Sequence, residues 1–189
     1  MGIFSAIFGH TKLRTPDREQ FFSIIGAAYN LEARTELRPT YKAGVVVNPV
    51  ESSYFDNLDS EMRTLLEVSG RATGTRFELE DDEFGTRWII LDDPDFEDLV
   101  SLIHTITETI VDHGFADRLL AAVFGLEFQG RPAYWLYNYK AGRFYPFVPT
   151  ASRERDYATE MRIGEIMREE KIPVQRKLEN WYALWGIPF

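Results

Sequence analysis

The stretch Phe115–Pro149 constrains this chain more than any other, because it reads as three consecutive strands with few polar positions. Leu119–Phe128 places Leu120, Ala122, Phe124, Leu126 and Phe128 on one side and Leu119, Ala121 and Val123 on the other. A strand that is apolar on both faces is covered on both, so it belongs inside a sheet. Gln129-Gly130 suits a tight hairpin, since glycine accepts positive φ without strain. The next strand, Pro132–Tyr139, sets Ala133, Trp135, Tyr137 and Tyr139 against Tyr134, Leu136 and Asn138. Lys140-Ala141-Gly142 then turns the chain into Arg143–Val148. Pro146 has no N–H to give a ladder, so this third strand is expected to lie at an edge or to end there.

The rest of the chain must supply layers for this meander. Thr15-Pro16 opens a helix, with Thr15 as N-cap and Asp17 and Glu19 near its positive end. Phe21, Phe22, Ile24, Ile25 and Ala28 form its apolar side, and it is expected to stop near Tyr29-Asn30. Leu31–Arg38 is a weakly signalled strand and Ala43–Val47 a clear one. A second helix is expected from about Tyr54 to Val68, with Leu58, Met62, Leu65 and Leu66 inward. Thr75–Leu79 and Thr86–Leu91 pair across an acidic connection, Glu80–Gly85. Asp93 then caps a helix with Pro94 at its first position. Phe96, Leu99, Val100, Ile103, Thr107 and Ile110 form one stripe along that helix, and Gly114 ends it. Beyond the meander, Arg153–Glu170 and Val174–Trp185 read as helical, the second with an aromatic seam of Trp181, Tyr182 and Trp185. The pattern predicts an α+β fold: a mainly antiparallel sheet ending in a three-strand meander, with helices packed against it. One domain spans 1–189, with 1–14 as an amphipathic N-terminal segment and 151–189 as a C-terminal helical extension.

Composition removes several functions. The chain has 189 residues, no cysteine and a net charge of −9. A thiolate metal site and a disulfide framework are therefore excluded. The acidity argues against nucleic acid or anionic lipid as the main partner, since both select basic patches. No apolar run approaches the ~18–20 residues of a membrane span. No secretory signal pattern opens the chain, so a cytoplasmic setting is expected.

Candidate sites are few. Ile3, Phe4, Ile7 and Phe8 share one helical face beside His10, Lys12 and Arg14. That face suits a membrane surface or a partner's groove, or it tucks into its own domain. Ala6 stands where N-myristoylation needs a hydroxyl. The acids at Glu78–Glu83 and Asp92–Asp98 could attract a hard cation, but they lack the spacing of a calcium loop. Capping and a solvated turn account for them, and no metal or cofactor is expected. His104 and His113 could each serve as a general base with a carboxylate such as Asp112 or Asp117, as in a small hydrolase. No nucleophile elbow and no phosphate loop accompanies them. Tyr137, Tyr139 and Tyr145, with Arg143, would form a protein-binding patch if their rings reach the surface; the alternative is that they are core.

Several segments, taken in order, resemble one family. They are M-G-I-F-S-A-I-F-G-H-T-K at the start, R-P-T-Y-K-A-G-V-V at Arg38–Val46, D-E-F-G-T-R-W at Asp82–Trp88 and D-D-P-D-F-E-D-L-V at Asp92–Val100. G-F-A-D-R-L-L-A-A-V-F at Gly114–Phe124, Y-N-Y-K-A-G-R-F-Y-P-F-V-P at Tyr137–Pro149 and W-Y-A-L-W-G-I-P at Trp181–Pro188 continue the series. Together they resemble the PspA-associated PspAB family. The resemblance implies a cytoplasmic accessory of a phage-shock-type membrane-stress response that works alongside PspA. The expected function is a non-enzymatic protein-interaction module, with PspA or a membrane-stress protein near it as partner; the alternatives are the small hydrolase and a binder peripheral to the inner face of the membrane through residues 3–8. The resemblance supplies no catalytic residues, and it leaves monomer and homodimer both open. The order of elements also resembles the secretion-chaperone-like α+β fold, in which helices cover one side of an antiparallel sheet.

Overall fold

The computed structural model describes residues 18–34, 37–51 and 53–189. The readings made for Ile3, Phe4, Ile7 and Phe8 and for the Thr15 cap lie outside these residues. In chain order the elements are α1 (Arg18–Arg34), β1 (Leu37–Val47), α2 (Ser53–Thr73), β2 (Arg76–Asp81), β3 (Arg87–Asp92) and α3 (Phe96–Asp112). They continue with β4 (Leu119–Phe128), β5 (Arg131–Asn138), β6 (Arg143–Phe147) and α4 (Tyr157–Glu169). The six strands form one sheet in the order β2-β3-β1-β4-β5-β6, with every neighbouring pair antiparallel. This is the α+β fold with a C-terminal meander that the apolar pattern predicts.

The turn chemistry sets the meander's register. Gln129 and Gly130 adopt φ of 53° and 76°, and two positive values in succession are what a type I′ hairpin demands. At the next turn the Asn138 side chain accepts from the N–H groups of Lys140 and Ala141 at 2.9 and 3.1 Å. Gly142 closes that turn at φ 60°.

Residues directly opposite in an antiparallel pair share a face, so the register sorts the core into two layers. On the first face lie Ala43, Val45, Ala122, Phe124, Trp135, Tyr137 and Phe144. Helices cover it. Phe21 of α1 meets Tyr137 edge-on at 4.9 Å, and Phe96 of α3 lies 5.8 Å from Phe124. Thr107 of α3 and Tyr139 share a buried hydroxyl bond of 2.6 Å, which ties the helix stripe to the end of β5.

The second face carries Gly44, Trp88, Val123, Gly125, Tyr134, Leu136, Tyr145 and Phe147. A strap of residues 173–189 covers it together with α4. Trp181 stacks on Tyr145, Trp185 meets Phe147, and Phe189 meets both Trp88 and Tyr134. Gly44 and Gly125 make the clearance for Phe189: a Cβ on either would stand 3.2 or 3.4 Å from its ring. The strap is fastened by a buried ion pair. Arg155 binds Glu160 through two bonds of 3.0 and 2.8 Å and also donates to the carbonyl of Trp181. Glu160 is fully buried and accepts from the Val148 N–H at 3.0 Å as well.

Four expectations need correction. α1 does not stop at Tyr29-Asn30 but runs on to Arg34, because Leu31 continues the buried side begun by Ala27 and Ala28. The strand expected over Leu31–Arg38 begins only at Leu37. Asp93 does not cap α3. Its carboxylate is buried, accepting from the Thr75 hydroxyl and from the Asp95 N–H at 2.8 Å, and Asp95 is the N-cap. Finally, 174–185 is not a helix: it holds one 3-10 turn, Leu178–Asn180, within an irregular course. Its rings recur at every fourth residue, and the sheet face beneath them favours an extended course over a helical one.

Candidate interaction surface

The tyrosines expected at a contact patch are core. Tyr137, Tyr139 and Tyr145 are at most 3% exposed. Burial holds the hydroxyls of Tyr139 and Tyr145 protonated well above the usual tyrosine range. Tyr137 and Tyr139 lie under α1 and α3, and for Tyr145 the physical reason is the second cover. Alternation assigns Tyr145 to the face away from the helices, and the strap then closes that face. Arg143 alone of this set reaches the edge of the molecule, half-buried, where its guanidinium donates to Gln20.

His104 and His113 both make local contacts. His104 is 5% exposed and packs edge-on against Phe22 of α1 at 5.1 Å. Burial lowers its pKa; Glu108, 3.3 Å from Nε2, works in the opposite sense. His113 is the C-cap of α3. Its Nδ1 meets the Thr109 carbonyl at 2.8 Å and its Nε2 meets Glu61 of α2 at 2.9 Å, and both contacts raise its pKa. Four surface clefts are lined without either imidazole and without Asp112 or Asp117.

Most acids of the β2–β3 hairpin also have local work. Asp81 binds Arg87 through bonds of 2.7 and 2.9 Å, which hold its carboxyl below the usual range. Asp82 closes the turn. Burial disfavours its charge, but bonds from Thr86, Trp88 and Phe84 outweigh that and lower its pKa. Asp92 pairs with Arg76 at 2.9 Å. Among the described residues no group of three or more His, Asp or Glu side chains could hold a metal ion. No described helix is long and apolar enough to cross a membrane.

What remains accessible is the sheet's outer edge at β2. Among the described residues this strand pairs only with β3, and Arg76, Glu78 and Glu80 stand exposed along its second face, where Pro188 and Phe189 at the end of the strap share a cleft with Arg76 and Glu78. Phe77 and Leu79 are half-buried on the other face. Among the described residues no strand pairs with its outer side, which is flanked by charge. Sequence reasoning saw these acids but not their position at an edge, because edge placement depends on strand order and no local pattern encodes that.

The model of the family described as PspA associated protein B matches residues 1–189, the whole chain. The chain belongs to this family. Curated proteins and solved structures give no match. Membership of the PspA-associated B family supports an accessory role linked to PspA.

Proposed function

We propose that this chain is a non-enzymatic protein-binding accessory of a PspA-type membrane-stress response, acting in the cytoplasm through direct contact with PspA. The observation that carries the reading is the match of the entire chain to a family described by its association with PspA. The open edge at β2 supports it. An edge strand can accept an added strand from a partner, and its flanking carboxylates favour a basic segment.

Full-length chain on a resin, exposed to purified PspA at low and at high salt, tests the reading. Capture at low salt that falls several-fold at high salt is expected, because exposed charges are screened within a Debye length of about 8–10 Å at physiological ionic strength. No capture at either salt overturns it. Glu78→Lys with Glu80→Lys reverses charge along the edge and is expected to reduce capture at least several-fold. The face of Ile3, Phe4, Ile7 and Phe8 is proposed as a second contact, made with the inner membrane surface. Liposome flotation of the full chain beside a chain beginning at residue 10 tests it, and equal flotation of the two excludes it.

A further inference from the structure

At the opposite side of the sheet, β6 does not end in open solvent. Residues 173–175 run parallel beside it: Phe144 N–H donates to the Pro173 carbonyl at 3.0 Å, and Gln175 N–H donates to the Phe144 carbonyl at 2.7 Å. A strand alternates the direction of its backbone groups, so the N–H and C=O of Val174 point away from β6. This short piece is therefore a new sheet edge, one residue wide.

A cleft of about 850 Å³ opens along it. Ile172 and Val174 contribute apolar surface, while Arg143, Arg168, Arg176 and Lys177 supply charge. Among the described residues no carboxylate lines the cleft, although the chain as a whole carries a net charge of −9. Two of the four cations have nearby partners outside it: Arg168 meets Glu165 at 2.6 Å and Lys177 approaches Glu179 at 3.8 Å. Arg143 donates to the neutral amide of Gln20, and Arg176 meets no carboxylate within 4.0 Å among the described residues. Positive charge thus gathers in one concave place on an acidic protein, beside a backbone edge able to pair.

We propose that this cleft receives an extended acidic segment of a partner protein, whose backbone pairs with Val174 and whose carboxylates meet Arg143, Arg176 and Lys177. The inference rests on the reading of the chain as a protein-binding module. Two features favour a peptide over a lone phosphate or a lipid headgroup. The volume lies in the upper part of the range for ligand clefts and exceeds what one small anion fills. The N–H and C=O of Val174, turned away from β6, offer one donor and one acceptor at the spacing of a single residue, which a polypeptide backbone matches.

Fluorescence polarisation of a labelled oligoglutamate peptide against the full chain tests this independently of PspA. The natural chain is expected to bind the peptide, and Arg176→Glu with Lys177→Glu to weaken binding about tenfold or more. Arg63→Glu with Arg71→Glu on α2 changes the net charge equally and is expected to leave binding within about twofold. No binding by the natural chain overturns the proposal, as does equal weakening by the two double variants, which would make the effect one of overall charge. Anionic phosphatidylglycerol vesicles or inorganic phosphate displacing the peptide at equal charge concentration also overturns it in favour of those anions. If PspA is captured while the peptide is not bound, the cleft assignment fails and the accessory reading stands. If the peptide is bound while PspA is not captured, the accessory reading fails and the cleft stands.

Discussion

The two edges of this sheet are finished in opposite ways. At one end β2 stays open and carries carboxylates, with Glu78 and Glu80 exposed and Asp81 held by Arg87. At the other end β6 is bridged by residues 173–175 and bordered by arginine and lysine. An open edge invites unwanted pairing, and charge along it is one deterrent; covering it with chain is another. This molecule uses both, one at each end. The lesson is that the net charge of −9 hides a bipolar surface, so the overall balance says little about what either end attracts.

The difference also concerns how each end is held. The β6 end depends on a fully buried ion pair, the β2 end on partly solvated ones. Glu160→Ala would leave Arg155 and the Val148 N–H without their partner in a fully buried place. The expected loss is about 3–5 kcal/mol in urea unfolding. A loss under about 1 kcal/mol would mean that the rings and the hydrogen bond from Tyr134 to the Phe189 carbonyl hold the strap without the ion pair. Gly44→Ala comes next. The added methyl would stand 3.2 Å from both the Ile89 carbonyl and the Phe189 ring, and overpacking of this kind costs about 1–3 kcal/mol. Part of that loss should be regained with Phe189→Ala in the same chain, and strict additivity would show that the ring is not what the methyl meets.

At the β2 end, Arg87→Ala removes bonds to Asp81 and Asp59 whose side chains are partly solvated. The expected cost is about 1 kcal/mol or less, which keeps the two ends distinct. A cost equal to that of Glu160→Ala would erase the contrast. The smallest effect concerns pH. Burial depresses the His104 pKa, so His104 contributes stability above its unfolded pKa, and that contribution is lost as pH falls through its folded value. Glu108 and Arg18 are the charged groups that bear on it. His113 acts in reverse: its raised pKa makes its contribution full below the unfolded value and lost as pH rises through the folded one. His104→Leu should therefore flatten the decline in melting temperature on mild acidification, and His113→Ala should steepen it.

The meander was the most legible part of the sequence. β4 covers Leu119–Phe128 as its two-faced apolar run predicts, and β6 opens at Arg143 as expected. Such a run fits only the interior of a sheet, and its glycine turns leave little freedom of register. What covers the sheet was less legible. Alternation shows which residues share a face but not whether solvent or another layer lies above it. Tyr145 was for that reason open to either reading, and the strap decided it. The strap itself was unreadable for a related reason. Trp181, Trp185 and Phe189 follow a spacing that a helix would also satisfy, and only the sheet beneath selects the extended course. At the basic cleft, Arg143 was visible in the sequence as a cation beside Lys140 among rings. Arg176 and Lys177 were not singled out, since they gather beside it only once residues 173–175 return to β6.

The unequal covers give the two sheet faces unequal lifetimes. Helices α1 and α3 carry their own internal ladders, whereas most of the stretch after Val174 has only side-chain anchors and scattered backbone bonds. Segments with few protected amides open with less free energy than the globule as a whole. Deuterium should accordingly enter residues 176–189 before it enters β4. Each such opening uncovers Trp88, Tyr134, Tyr145 and Phe147 together, making a transient sticky plane whose exposure sets how readily the protein self-associates on storage.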